Sequence, residues 1–132
     1  MPDKVEYWLE LCDDDTKAAK AMLESKNFLW MGFICHLVAE KALKAAFVND
    51  ANDDPPKTHD LLRLAALSDT CLNLPNKFKT LLGNLSPLQI EARYPEYKAK
   101  IAAVLTESYC DTLLQETEEF LCWIKEKLGR QL

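Results

Sequence analysis

At 132 residues the chain is long enough to bury a core without metals or disulfides, and its 48% hydrophobic and 28% charged residues exclude wholesale disorder. A formal net charge of −5 excludes a protein that coats nucleic acid through its overall field, while leaving room for a local basic pocket. Glu40, Lys41 and Lys44 interrupt the longest apolar run short of a membrane span, and the N-terminal MPDKVEYW has no signal-peptide layout, so a cytoplasmic protein is expected.

Scarce glycine, few alternating β-branched runs and helix-period apolar spacing nearly throughout predict an all-α protein in a single domain, residues 1–132. The first helix is predicted over residues 3–25, with Val5, Trp8, Leu9, Cys12, Thr16, Ala19, Met22 and Leu23 on one face. Lys26 and Asn27 leave only a tight turn into a second helix, Phe28 to Val48, which must therefore run antiparallel to the first. Pro55 and Pro56 make NDANDDPPK a loop. Thr58 is placed to cap a short third helix, with Asp60 favouring its positive end. A fourth helix is predicted over 75–85, carrying Phe78, Leu81, Leu82 and Leu85. Ser86, Pro87, Leu88 and Gln89 then spell a capping box that restarts a helical turn. The last helix is predicted from about Lys98 or Ala102 to Lys127, closed by Gly129.

Five scattered cysteines, Cys12, Cys35, Cys71, Cys110 and Cys122, form no CxxC pair and read as small core hydrophobes in a reducing compartment. The two histidines, His36 and His59, lie far apart in sequence, so neither a metal nor any cofactor is expected. The acidic groups at Asp13–Asp15, Asp50–Asp54 and Glu116–Glu119 read as solvated faces. Trp8, Trp30 and Trp123, spaced among apolar neighbours, read as core or dimer interface.

The second helix is apolar almost all the way round, except that His36, Glu40 and Lys44 recur every four residues along one face with Lys41 beside them. Buried polar groups must find partners, so either Glu40 pairs with Lys44 and the stripe is satisfied, or the stripe lines a site. Arg93 and Tyr94 precede Pro95, where a guanidinium beside an aromatic suits phosphate capture and base stacking, or else a helix-end tether. His59 suits a loop tether or a ligand group. The candidate ligand-binding set is thus Lys41, Lys44, His59, Arg93 and Tyr94, supported by His36, Glu40 and Asp60, with the cations expected to share a cavity.

YWL at Tyr7–Leu9, AEKALKA at Ala39–Ala45, KTHDL at Lys57–Leu61 and ARYP at Ala92–Pro95, in that order, resemble the HEPN domain family over nearly the whole chain. The resemblance implies an up-and-down bundle of four main antiparallel helices plus a short extra helix. It also implies a homodimer whose cleft lies between central helices, and association with a minimal nucleotidyltransferase. Many members are metal-independent RNases that cut with an arginine followed, after four to six residues, by a histidine. Here Arg93 meets Lys98, Ala99 and Lys100 where that histidine should fall, and no histidine follows anywhere. General acid–base cleavage thereby loses its usual proton carrier. The function expected is a nucleotide- or RNA-binding partner of a nucleotidyltransferase in a toxin–antitoxin-like pair. The alternatives are a divergent RNase using His59 or Lys98, and a purely structural helical interaction module.

Overall fold

Asp3 opens the first helix by accepting hydrogen bonds from the backbone of Val5 and Glu6, which satisfies two donors that helix geometry leaves orphaned. In the computed structural model, which describes residues 3–89 and 95–129, this helix is α1, Lys4–Glu24. Lys26 turns the chain with a φ of 62°, and α2, Phe28–Ala51, returns antiparallel along α1. Short helices α3, Leu61–Ala66, α4, Asn76–Leu85, and α5, Pro95–Val104, lead to the long α6, Glu107–Lys127. Two 3₁₀ turns, Asp69–Cys71 and Ser86–Leu88, lie between them. The fold is all-α, as the apolar periodicity requires: the described residues form three long and three shorter helices, and none lies in a strand.

α2 is the axis. It packs against α1 and α6 on its flanks and touches α3, α4, α5 and both 3₁₀ turns. This explains why Met31, Cys35, Val38, Ala39, Ala42, Leu43, Ala45 and Ala46 are fully buried around its circumference. Gly32 permits a close approach: a Cβ there would lie 3.1 Å from the Leu88 side chain, so the Ser86–Leu88 turn can rest directly on the helix. At the other end of the bundle Phe78 meets Phe120 at 5.3 Å and Trp123 at 5.7 Å between ring centroids, fastening α4 to α6.

Several local expectations are corrected. α2 runs to Ala51 rather than Val48 and ends on Asn52 in the left-handed region, φ 52°, before the prolines forbid continuation. Asp60, not Thr58, caps α3: its carboxylate accepts from the Arg63 backbone N–H at 3.2 Å, while the Thr58 hydroxyl accepts from Asp60 N–H. The Ser86 hydroxyl donates back to Leu82 O instead of capping, so the restart is a single 3₁₀ turn. The predicted last helix is two helices, because Thr106 adopts extended backbone and caps α6 by accepting from Tyr109 N–H. Gly129 does close α6, with a φ of 71°.

Cys12, Cys35, Cys71 and Cys110 are buried free thiols, whereas Cys122 is exposed on α6. Burial pushes Cys35 up to about 12 and Cys110 up to about 11, leaving both thiols unreactive at neutral pH. The acidic run on α1 is not simply solvated. Asp13 accepts from Lys125 of α6 at 2.7 Å and Asp15 from Lys41 of α2 at 2.6 Å, which ties the three long helices together. No helix of the described residues is long and apolar enough to cross a membrane.

Candidate functional site: a shared carboxylate beside a basic aromatic cleft

The period-four stripe of α2 folds onto a single carboxylate. Glu40 is only 4% exposed. Its Oε2 accepts from Lys44 Nζ at 3.1 Å, and its Oε1 lies 2.9 Å from His59 Nδ1, carried in by the loop ahead of α3. His36 completes the group, with Nδ1 3.7 Å from the same Oε1, beyond hydrogen-bonding distance. His36 is fully buried, and neither of its ring nitrogens has a hydrogen-bond partner among the described residues. Burial is the main influence on its basicity and holds it below the ordinary imidazole value; Glu40 opposes the shift, and the charge of His59 reinforces it while the His59 backbone opposes it. His36 is therefore a neutral ring packed behind the carboxylate.

His59 is oriented differently. Glu40 engages Nδ1, which fixes that nitrogen as the N–H donor and leaves Nε2 on a side chain that is 58% exposed. The Glu40 carboxylate is thus shared by one buried ammonium and one exposed imidazole.

Lys44 leads from this node to a cleft. Its Nζ sits 5.7 Å from the centroid of the partly buried Trp8 ring, a cation–π contact between α2 and α1. The cleft encloses about 490 Å3 between the start of α1, Lys44, and the loop at Asp54–Lys57. Tyr7 and Trp8, ring centroids 5.8 Å apart and edge to face, supply its aromatic wall; Pro55 and Pro56 face them. Lys57 lines the rim, and Lys4 reaches across to Asp54 at 3.0 Å. With Lys4 paired to Asp54 and Lys44 to Glu40, the surplus charge of this surface is the single ammonium of Lys57, which makes it weakly basic within an acidic protein. A larger groove of about 690 Å3 between α4 and α6 is lined by Glu118, Glu119 and Glu126 and has the wrong sign for phosphate.

The candidates separate accordingly. Lys44, Glu40, His36 and His59 are brought together. Lys41 is not: one residue round the helix, it is committed to Asp15 and does not line the cleft. Asp60 serves as the α3 cap. Arg93 and Tyr94 lie outside the described residues. Sequence reasoning missed the aromatic wall, although an adjacent tyrosine and tryptophan at the start of α1, and a lysine directly after two prolines, were its visible signals. It also missed Asp50. Read as a solvated acid, Asp50 accepts from the Ser68 hydroxyl and from Thr70 N–H and Oγ1, at 2.8 and 2.9 Å for Thr70. Burial alone would raise this carboxyl, but the hydrogen bonds from Ser68 and Thr70 outweigh it and hold it below the usual aspartate value.

The sequence model of the HEPN domain matches residues 5–128, a span that contains every element of the cluster and the cleft except Lys4. The chain belongs to the HEPN family. Its structure is similar to that of TT1696 from Thermus thermophilus, with a TM-score of 0.76 and 20% identity over 96% of this chain and 99% of that one. It is also similar to ST0689, described as an archaeal HEPN homologue, with a TM-score of 0.70 and 18% identity over 97% of this chain and 99% of that one. At such identities the likeness is one of fold alone. No curated protein matches the chain by sequence. Within this HEPN chain the arginine–histidine spacing is absent from the sequence.

Proposed function

We propose that this HEPN protein is a homodimeric nucleotide- or RNA-binding protein that partners a separately encoded minimal nucleotidyltransferase in a toxin–antitoxin-like pair. One observation carries the ligand class: Lys44 is held over Trp8 at the edge of a cleft whose other walls are aromatic, proline and lysine. Ammonium groups capture phosphate, and exposed aromatic rings give a base a face to stack on. The ligand set proposed is Lys44 with Lys57, Tyr7 and Trp8, and His59 acting through Glu40, together with Arg93 and Tyr94, whose residue types suit the same ligand; Lys41 supports the fold through Asp15.

Support for a homodimer comes from the N-terminal half of α2, where Trp30 is 59% exposed beside the partly buried Phe33, Ile34 and Leu37. Titration of intrinsic fluorescence with ATP and with a short oligouridylate at low salt tests the ligand reading. Saturable quenching in the wild type that is lost in Trp8→Phe, with folding intact by circular dichroism, is the expected result; no saturable binding of either ligand overturns it.

A second reading, a divergent metal-independent RNase, is favoured by one feature. A buried carboxylate that fixes the tautomer of an exposed imidazole is an arrangement suited to proton transfer. It predicts EDTA-insensitive cleavage that disappears in His59→Ala, and intact labelled RNA after prolonged incubation with the purified protein ends it.

A further inference from the structure

Glu40 offers one negative charge to two bases of different exposure. Lys44 takes Oε2 and lies largely buried at the cleft edge; His59 takes Oε1 and stands more than half exposed. When His59 is neutral, Glu40 and Lys44 cancel, and an anion entering the cleft meets a lysine whose charge is already spent. When His59 carries a proton, the same carboxylate is neutralised twice over and the cluster has a net charge of +1. An anion therefore prefers the protonated form, and by linkage its binding must draw a proton onto the protein.

Resting on the reading of the cleft as an anion site, we propose that binding of a phosphate-bearing ligand at Lys44 is coupled to protonation of His59 through the carboxylate they share. His59 acts here through Glu40 and is a positioning residue, with no contact to the ligand required. The surrounding charges leave this role to it. From α2, His36 is neutral behind the carboxylate, and Glu40 and Lys44 are the partners themselves. From α1, Lys4 is tied to Asp54 across the cleft. On its own segment, Lys57 lines the cleft as a cation and Asp60 is engaged as the α3 cap. A proton on His59 adds a positive charge beside Glu40, so affinity should be higher at pH 6 than at pH 8.

The experiment is calorimetric titration of ATP, and separately of an oligouridylate lacking terminal phosphates, at pH 6 and pH 8, into wild type and His59→Asn. Asparagine keeps a donor for Glu40 without a titrating group, and any titration of the ligand's own phosphate is common to both proteins and cancels in their ratio. Two charges several ångströms apart near a protein surface interact strongly enough for roughly a tenfold effect. The expected result is a wild-type affinity that gains about tenfold at pH 6 relative to the variant, with uptake of up to one proton seen by repeating the titration in buffers of different ionisation heat. Saturable binding whose wild-type-to-variant ratio is the same at both pH values overturns the coupling and leaves the cleft reading standing. No binding of either ligand at pH 6 overturns both.

Discussion

The two halves of α2 solve opposite problems with one helix. From Trp30 to Leu37 its outer side is apolar and partly bare; from Glu40 to Asp50 each acidic side chain is engaged, Glu40 by Lys44 of the same helix and by His59 of the loop ahead of α3, Asp50 by Ser68 and Thr70. Burial forces the difference at Glu40, whereas Asp50 is exposed and held by its hydrogen bonds. A bare apolar ring costs little in a monomer and becomes useful when covered, whereas a buried carboxylate without partners is expensive at once. The C-terminal half therefore holds the loop and the cleft in fixed geometry, and the N-terminal half is free to meet another surface.

The sharpest way to break this contrast is at Glu40. Glu40→Ala strands Lys44 and should cost about 3 kcal/mol, as removal of one partner from a buried pair does; urea unfolding followed by circular dichroism measures it, and a loss under about 1 kcal/mol would mean that Lys44 escapes to water instead. Asp50→Ala comes next. It frees the Asp69–Cys71 turn from the end of α2 and should cost about 2 kcal/mol, the scale of losing charge-assisted hydrogen bonds that are partly exposed. The sign in pH follows from the depressed native carboxyl. The unfolded chain takes up the proton first, so this stability is full above the ordinary aspartate value of 3.8 and is lost as pH falls through and below it. The variant should show a flatter acid limb, and an unchanged limb would remove Asp50 from the explanation.

His36→Leu should act in the opposite direction, stabilising the fold by about 1 kcal/mol because it removes a buried polar ring without hydrogen bonds. Native His36 resists protonation, so the unfolded chain binds the proton first and wild-type stability falls as pH drops below about 6.5. The benefit of leucine should accordingly grow between pH 7 and 5.5; a destabilised variant with the wild-type pH profile would show that the ring is needed where it stands. Trp30→Ser tests the bare half of the helix. Its effect on folding should be within about 0.5 kcal/mol, while light scattering at micromolar concentration shifts from dimer to monomer. A monomeric wild type refutes the dimer outright.

The helical class, the α1–α2 hairpin and the stripe on α2 could all be read from spacing, because side chains three and four residues apart must share a face. The division of labour within the stripe could not. Lys41 and Lys44 differ by less than a turn, yet Lys41 points to Asp15 on α1 and Lys44 to Glu40 and Trp8. The Glu40–Lys44 pair follows from helical spacing, but the turn of Lys41 to Asp15 and the place of Lys44 over Trp8 are made by how α1 lies across α2, a tertiary fact without local signal. The same holds for Asp50, whose partners sit 18 and 20 residues away, and for the break at Thr106, where a cap outweighs continuous apolar periodicity. The cleft was missed because half of it is loop and prolines, which carry no periodicity.

The difference between those two lysines gives the decisive measurement: the affinity of ATP at low salt and pH 6 for wild type, Lys44→Gln and Lys41→Ala, determined side by side by calorimetry. Glutamine retains a donor toward Glu40, and alanine at position 41 gives up only the Asp15 pair. Lys44→Gln should bind at least about tenfold more weakly, the scale of one charge-assisted phosphate contact, while Lys41→Ala binds as the wild type does. Equal losses at both positions, or a loss confined to Lys41→Ala, would place the ligand somewhere other than the cleft beside Trp8.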